Sequence, residues 1–233
     1  MANVIKLRKG LDVNLKGKAA KEEFQVKKPA VYALVPDDFT GMKPKVVVKE
    51  NDVVKVGDSL FVDKNHPEIK FVSPVSGRVT MVERGDRRKV LSVRVEADAE
   101  QQYVDFGKKN VGQMTAQEVK DLLLESGLFG FFRQRPYDVT ANPSDTPKAI
   151  FVSAFNSMPL AADFEYVLRG READFQAGLD ALAKMAKTYL GVSSKQTATA
   201  LTAAKNVEIN FSTDRRGRKR RRANQPHFSY KQG

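Results

Sequence analysis

The residues best suited to bind a ligand lie in one short segment, GLFGFFRQRPYDV, which begins at Gly127. The segment combines four aromatic rings with two guanidinium groups, contributed by Phe129, Phe131, Phe132, Tyr137, Arg133 and Arg135. Aromatic rings offer flat contact area and arginine can hold a polar head group, so this composition suits a flat, largely apolar ligand. Ordinary core packing after a helix is an equally good explanation of the same residues.

Motifs for the common catalytic chemistries are absent from the sequence. It has no GxGxxG, GxxxxGK[ST], GxSxG or HExxH pattern. It also has no cysteine and only two histidines, His66 and His227, so a thiolate or multi-histidine metal site cannot be assembled from it. We therefore predict no catalytic residue, no metal site and no cofactor bound by this chain.

The strongest charge signal is a block of six arginines and one lysine within the eight residues 215–222. Of the net charge of +12, +7 belongs to 211–233, so the first 210 residues are only mildly basic. Such a block is typical of a disordered arm that binds nucleic-acid phosphates. A basic-tailed nucleic-acid-binding protein is therefore one alternative function.

The first part of the chain has the pattern of an all-β domain, predicted to span 28–98 after an N-terminal strand and extension at 1–27. Short runs of β-branched and aromatic residues alternate with Pro, Gly, Asn and Asp clusters. The stretch SPVSGRVTMVERGDRRKVLSVRVE is similar to the hairpin region of a biotinyl or lipoyl-like barrel-sandwich domain. A carrier would present a lysine at the hairpin tip, but the predicted tip is Gly85-Asp86 and Lys89 lies toward the next strand. A structural β-module is favoured over a carrier.

The hydrophobic period changes from two to about 3.6 at Thr115, which predicts a helix from Ala116 to Ser126 that ends at Gly127. This helix and the aromatic segment form a predicted helical linker at 99–147. From 148 to 210, strands and helices alternate in a βαβ pattern, with strands KAIFVSAF, KTYLGV and VEINF. The overall fold class is therefore a multidomain α+β and α/β chain, ending in a partial Rossmann-like α/β domain.

Four stretches carry a family resemblance: VIKLRKGLDVNLKG, the run from GMKPKVVV to KVLSV, SGLFGFFRQRPYDV and KAIFVSAFNSMPLAAD. Together they resemble the family of A subunits of the bacterial sodium-translocating NADH:quinone oxidoreductase. The resemblance runs nearly continuously from Val4 to about Ile209, and members of the family continue for about as long again. The chain thus resembles the N-terminal half of such a protein.

The resemblance implies a peripheral subunit on the cytoplasmic face of the cell membrane that contributes to quinone binding and complex assembly. No apolar run approaches the roughly 20 residues of a membrane-spanning helix, which agrees with a peripheral position. The implied partners are the other subunits of the complex, especially the membrane-embedded ones. FMN, riboflavin and iron-sulfur centres are expected on those partners, with quinone as the substrate.

The family is also similar in fold to the flavin-carrying subunit of respiratory complex I. That relative brings a glycine-rich loop against flavin phosphate, where this chain has Phe129, Phe131 and Phe132. A quinone suits this composition better than a flavin. The candidate quinone contacts are Phe131, Phe132, Arg133 and Tyr137, together with Phe39 and Met42 from the family's other quinone-associated segment.

The resemblance stops near Asn210, and a reading-frame shift offers a reason. Moving one base forward through codons chosen for 217–233 spells AGNVGVQINHISPINK with a glycine next, which closely resembles the family's own continuation. We therefore expect the basic tail at 211–233 to be a frameshift product. A genuine basic extension is the alternative.

Overall fold

The computed structural model describes residues 3–5, 20–156 and 161–212. It divides the chain into two compact units. The first, called the β unit, comprises Gln25–Asn110 and Gln117–Thr146; the second, called the α/β unit, comprises Met1–Phe24, Val111–Ala116 and Pro147–Gly233. The predicted basic tail lies outside the described residues from 213 onward, and the predicted domain boundaries remain predictions.

The β unit contains two antiparallel sheets and a two-stranded hairpin. One sheet has the order β2-β8-β7-β4, and the other has the order β3-β5-β6. The strands are β2 (Val31–Leu34), β3 (Pro44–Val46), β4 (Val53–Val54), β5 (Ser59–Asp63), β6 (Lys70–Val72), β7 (Gly77–Arg84), β8 (Val90–Ala97), and the hairpin strands β9 (Arg133–Gln134) and β10 (Val139–Thr140).

Alternation along the strands produces the core of the β unit. In β8, Val93 and Val95 are buried while Arg94 and Glu96 point to the other face, as a period of two requires. Phe61 and Phe71 from the second sheet stack with ring centroids 5.1 Å apart. The buried cluster is Val54, Leu60, Phe61, Ile69, Phe71, Val75, Val79, Val90, Val93, Val95 and Phe129. Residues of both sheets therefore share one apolar core.

The turn between β7 and β8 differs from the predicted tip at Gly85-Asp86. The amide of Lys89 donates to the carbonyl of Asp86 at 3.1 Å, and Arg87 and Arg88 occupy the centre of the turn with φ of 53° and 61°. Two positive φ values match the type I′ turn of tight hairpins, which prefers Asn-Gly. Left-handed backbone costs about 1–2 kcal/mol at each non-glycine residue. The turn therefore carries two arginines where sequence preference favours other residues.

Helix α1 (Ala116–Glu125) agrees with the predicted helix to within one residue. Gly127 follows it with φ of 75°, the left-handed conformation that was predicted to end the helix. A 3₁₀ helix then covers Leu128–Phe131 and leads into β9. A second 3₁₀ helix, Pro36–Asp38, precedes Phe39.

The α/β unit is built on a parallel sheet with the order β1-β13-β12-β11. Its strands are β1 (Asn3–Ile5), β11 (Ile150–Ser153), β12 (Thr188–Ser193) and β13 (Glu208–Ser212), and its helices are α2 (Phe164–Val167), α3 (Glu172–Met185) and α4 (Thr199–Thr202). The predicted βαβ alternation is confirmed. Helix α2 was not predicted, and neither was the parallel pairing of β1 with β13.

One face of the parallel sheet forms the core of the α/β unit. Leu190 and Val192 of β12 are completely buried and cluster with Leu179 of α3 and Leu201 of α4. Successive strand residues face opposite sides, so Tyr189, Gly191 and Ser193 lie on the other face. No helix within the described part of the chain is long and apolar enough to cross a membrane.

A carboxylate on the β7–β8 hairpin makes the stability of the β unit depend on pH. The hydroxyl of Ser92 donates to Glu83 at 2.8 Å and Arg94 donates to it at 2.7 Å, and these two contacts lower the pKa of Glu83. A lowered pKa stabilises the fold above the ordinary carboxyl pKa, and that contribution is lost as the pH falls through the lowered value. At pH 7 the urea midpoint of the wild-type protein should therefore be higher than that of Glu83→Gln. The difference between the two midpoints should disappear in acid. Glu96→Gln, at an exposed position on β8, is the control; a gap that persists in acid contradicts the prediction.

Candidate functional site

The two segments that carry the predicted quinone contacts meet in the β unit. The amide of Thr140 donates to the carbonyl of Thr40 at 2.8 Å, and the Thr140 hydroxyl donates to the same oxygen at 3.2 Å. Gly41 lies against Val139 so closely that a β carbon on Gly41 would come within 2.7 Å of the Val139 Cβ. Residues that are about 100 positions apart in the sequence are thereby joined at the backbone.

Phe39 connects this surface to the core. Its ring centroid lies 4.3 Å from that of Phe71 and 6.4 Å from that of Phe61 on the inner side. On the outer side it meets the Phe131 ring edge to face, with centroids 5.7 Å apart. Phe131 keeps 68% of its surface exposed. The pair Phe39–Phe131, called the aromatic pair, therefore presents an exposed ring that is supported from below by the core.

The other predicted contacts differ in exposure. Tyr137 is 81% exposed on the turn between β9 and β10. Phe132 and Met42 are half-buried and pack against the core of the β unit, and Phe132 stacks on Phe129 with centroids 5.5 Å apart. Phe131 and Tyr137 are thus open to a ligand, whereas Phe132 and Met42 mainly pack against the core.

Arg133 links the two segments through polar contacts. One guanidinium nitrogen donates to the carbonyl of Asp38 at 3.4 Å, and another lies 3.9 Å from the Asp138 carboxylate. Arg135 lies 3.4 Å from the same carboxylate, which is largely buried. The Asp138 backbone has φ of 60°, and its amide donates to the carbonyl of Gln134 at 2.9 Å. The carboxylate therefore lies near both arginines at the turn of the hairpin.

Asp38, Thr40, Asp138 and Thr140 were missed by the sequence analysis. For Asp138 a signal was present, because an acidic residue follows two arginines at spacings of three and five. For the two threonines no local signal exists, since their contact joins two distant segments. These four residues position the predicted contacts.

Gly130 has a packing role that bears on phosphate binding. A β carbon added at Gly130 would come within 2.7 Å of the Phe71 ring, so this glycine allows the 3₁₀ helix Leu128–Phe131 to lie against β6. A glycine that brings backbone against a phosphate must instead have open space beside its α carbon, where the phosphate binds. Gly130 thus serves packing within the protein.

Lys89 was the lysine weighed in the carrier alternative. Its ammonium group lies 2.6 Å from the Asp37 carboxylate, and the centre of the adjacent turn is Arg87-Arg88. A carrier lysine must be free at the tip for modification.

Among the described residues, no group of three or more His, Asp or Glu side chains is placed to hold a metal ion.

Two antiparallel sheets around one core, followed by a parallel α/β unit, define a barrel-sandwich protein with an additional α/β domain. Residues 5–98 match the family model for the NqrA N-terminal barrel-sandwich hybrid domain, and residues 114–213 match that for the NqrA second alpha/beta domain. The chain belongs to the NqrA family.

Curated relatives agree with this assignment, and each is named as the A subunit of the Na(+)-translocating NADH-quinone reductase. The protein of Pseudomonas aeruginosa UCBPP-PA14 is 35% identical over 190 residues, which is 80% of this chain and 42% of the relative. That of Yersinia pestis is 33% identical over 215 residues, covering 90% and 47%. That of Serratia proteamaculans is 37% identical over 186 residues, covering 78% and 41%. The chain spans less than half the length of these relatives.

The close approach at Gly41 makes a prediction about the junction of the two segments. Gly41→Ala should lower the free energy of unfolding by more than Gly107→Ala, because both glycines have positive φ (89° and 71°) but only Gly41 faces a close neighbour. The shared backbone cost is about 1 kcal/mol, and the clash with Val139 adds roughly 1–3 kcal/mol. Urea denaturation measures both values. Equal losses in the two variants would show that the segments are not held in contact.

Proposed function

We propose that this chain forms part of a peripheral subunit of a sodium-pumping NADH:quinone oxidoreductase and contributes a quinone contact surface. The surface comprises Phe39, Met42, Phe131, Phe132, Arg133 and Tyr137. The observation that carries the proposal is the meeting of two distant segments, which brings Phe39 against Phe131 and joins the Arg133 guanidinium to Asp38, the residue before Phe39. The names of the relatives support the general role.

The aromatic pair supplies the contact area in this proposal. A quinone ring is flat and apolar, and it gains most from stacking on an aromatic face that is already fixed in position. Phe131 is exposed but held by Phe39, which in turn rests on Phe71. Little side-chain freedom is therefore lost when a ring binds there.

Arg133 supplies the polar contact. A guanidinium group has five N–H donors, and quinone carbonyl oxygens are acceptors only. Two of the arginine nitrogens face Asp38 and Asp138, and the side chain remains 46% exposed. Donors directed to solvent are thus available to a quinone carbonyl, while Tyr137 adds a second ring and a hydroxyl on the same hairpin.

The chain itself needs no redox centre in this role. FMN, riboflavin and iron-sulfur centres lie on partner subunits in this role, and the membrane-embedded subunits are the docking partners at the cytoplasmic face. Electrons reach the quinone from those centres, and this chain binds and orients the acceptor. Its contribution to turnover then lies in quinone affinity and in assembly.

Phe131→Ala is expected to weaken binding of a short-chain ubiquinone to this chain by about tenfold, or about 1.4 kcal/mol, because the exposed ring of the pair is removed. Leu128→Ala is the matched control, since Leu128 lies in the same 3₁₀ helix and is 53% exposed. Isothermal titration at fixed detergent concentration measures both. Unchanged affinity in Phe131→Ala, or an equal loss in Leu128→Ala, contradicts the proposal.

The same surface can be tested in the assembled complex with Phe131→Ala, Phe132→Ala and Arg133→Ala. Each should raise the quinone concentration for half-maximal turnover, and Phe132→Ala should also lower stability because its ring packs in the core. The amount of each complex component on a native gel separates loss of assembly from loss of affinity. Unchanged kinetics in Phe131→Ala and Arg133→Ala would refute the assignment.

A further inference from the structure

The turn between β7 and β8 has more positive charge than its surroundings neutralise. Arg84, Arg87 and Arg88 are all exposed, and the only carboxylate within the turn is Asp86. Two other charges of the hairpin are paired, Glu83 with Arg94 and Lys89 with Asp37, and the Glu50 carboxylate accepts from the Val82 amide of β7. Asp86 offsets one cation, so a net charge of about +2 is directed to solvent.

The backbone at this turn is strained in a way that stability alone does not explain. Arg87 and Arg88 both have positive φ in the type I′ turn, where Asn-Gly would relieve the strain. Strained residues that persist are concentrated at functional sites. The strain therefore indicates a role for the two guanidinium groups at this position.

An exposed apolar side chain lies close to these cations. Leu91 is 38% exposed, and a β carbon at Gly85 would be in contact with its side chain. The Lys89–Asp37 ion pair connects the turn to the 3₁₀ helix Pro36–Asp38, which directly precedes Phe39 of the aromatic pair. The arginines are therefore near a partly apolar surface of the same unit.

We propose that this element, called the arginine turn and comprising Arg84–Lys89, docks on an anionic lipid surface. Guanidinium groups bind phosphate oxygens through paired hydrogen bonds, and each cation near an anionic leaflet adds to the attraction. A lipid surface is favoured over an acidic protein because the exposed apolar side chain of Leu91 accompanies the cations, as in elements that lie in a membrane interface.

The first test measures binding of the full chain to vesicles of phosphatidylcholine with about 30% phosphatidylglycerol at ~50 mM salt, where charge contributes strongly. The variant is Arg87→Asn/Arg88→Gly, which removes two cations and relieves the backbone strain at the turn. It should bind roughly 25-fold more weakly, the factor given by about 1 kcal/mol for each cation, and its urea midpoint should rise. The control is Lys108→Asn/Lys109→Gly, which removes two cations from an exposed loop of the β unit.

The basic residues at 215–222 can also bind vesicles, so a local signal is needed. The chain has no cysteine, so Asp86→Cys takes a single environment-sensitive fluorophore, and Lys108→Cys provides the comparison. Addition of anionic vesicles should shift the emission of the label at 86 to the blue and leave the label at 108 nearly unchanged. Vesicles of phosphatidylcholine alone should give no shift at either position.

Three results would overturn the proposal. They are equal loss of binding in the two double variants, an unshifted label at 86 on bound vesicles, and binding to polyglutamate without binding to vesicles. The last result would indicate an acidic protein as the partner. None of these measurements uses a quinone, so a negative result would refute lipid binding by the arginine turn without affecting the proposed quinone surface. A negative result in the quinone-binding tests would likewise leave lipid binding by the arginine turn unaffected.

Discussion

The position of one ring, Phe39, determines the geometry of the candidate site. Its ring centroid lies 4.3 Å from that of Phe71 in the core and 5.7 Å from that of Phe131 at the surface. Phe39 therefore fixes the position of an exposed ring relative to the core. The backbone contacts between Thr40 and Thr140 hold the two segments in register. Without this junction, Arg133 would belong to a short hairpin with little support of its own.

Local patterns in the sequence predicted the elements better than their arrangement. Alternating valines indicated the strands of the β unit, and the 3.6 period with Gly127 indicated α1 almost to the residue. The contact of Phe39–Met42 with Val139–Thr140 was beyond local reasoning because it depends on chain separated by about 100 residues. The family resemblance named both segments, but only the structure shows that they touch.

Two differences between the predicted elements and the structure have clear physical reasons. The tip of the β7–β8 hairpin was expected at Gly85-Asp86 because glycine tolerates positive φ, yet the strained positions fall on Arg87 and Arg88. Strand β1 pairs in parallel with β13, a long-range contact for which three residues carry no periodic signal. In both cases tertiary structure overrode local preference, and at the turn that conflict marks a candidate interaction surface.

The most direct measurement is photo-crosslinking of this chain with a photoreactive quinone analogue, followed by mapping of the modified peptides. If the β unit carries the quinone surface, labelling should concentrate within 36–42 and 128–140 and should be suppressed by excess unlabelled quinone. Labelling of the α/β unit alone, or labelling that excess quinone does not suppress, would contradict a quinone surface at the junction of these two segments.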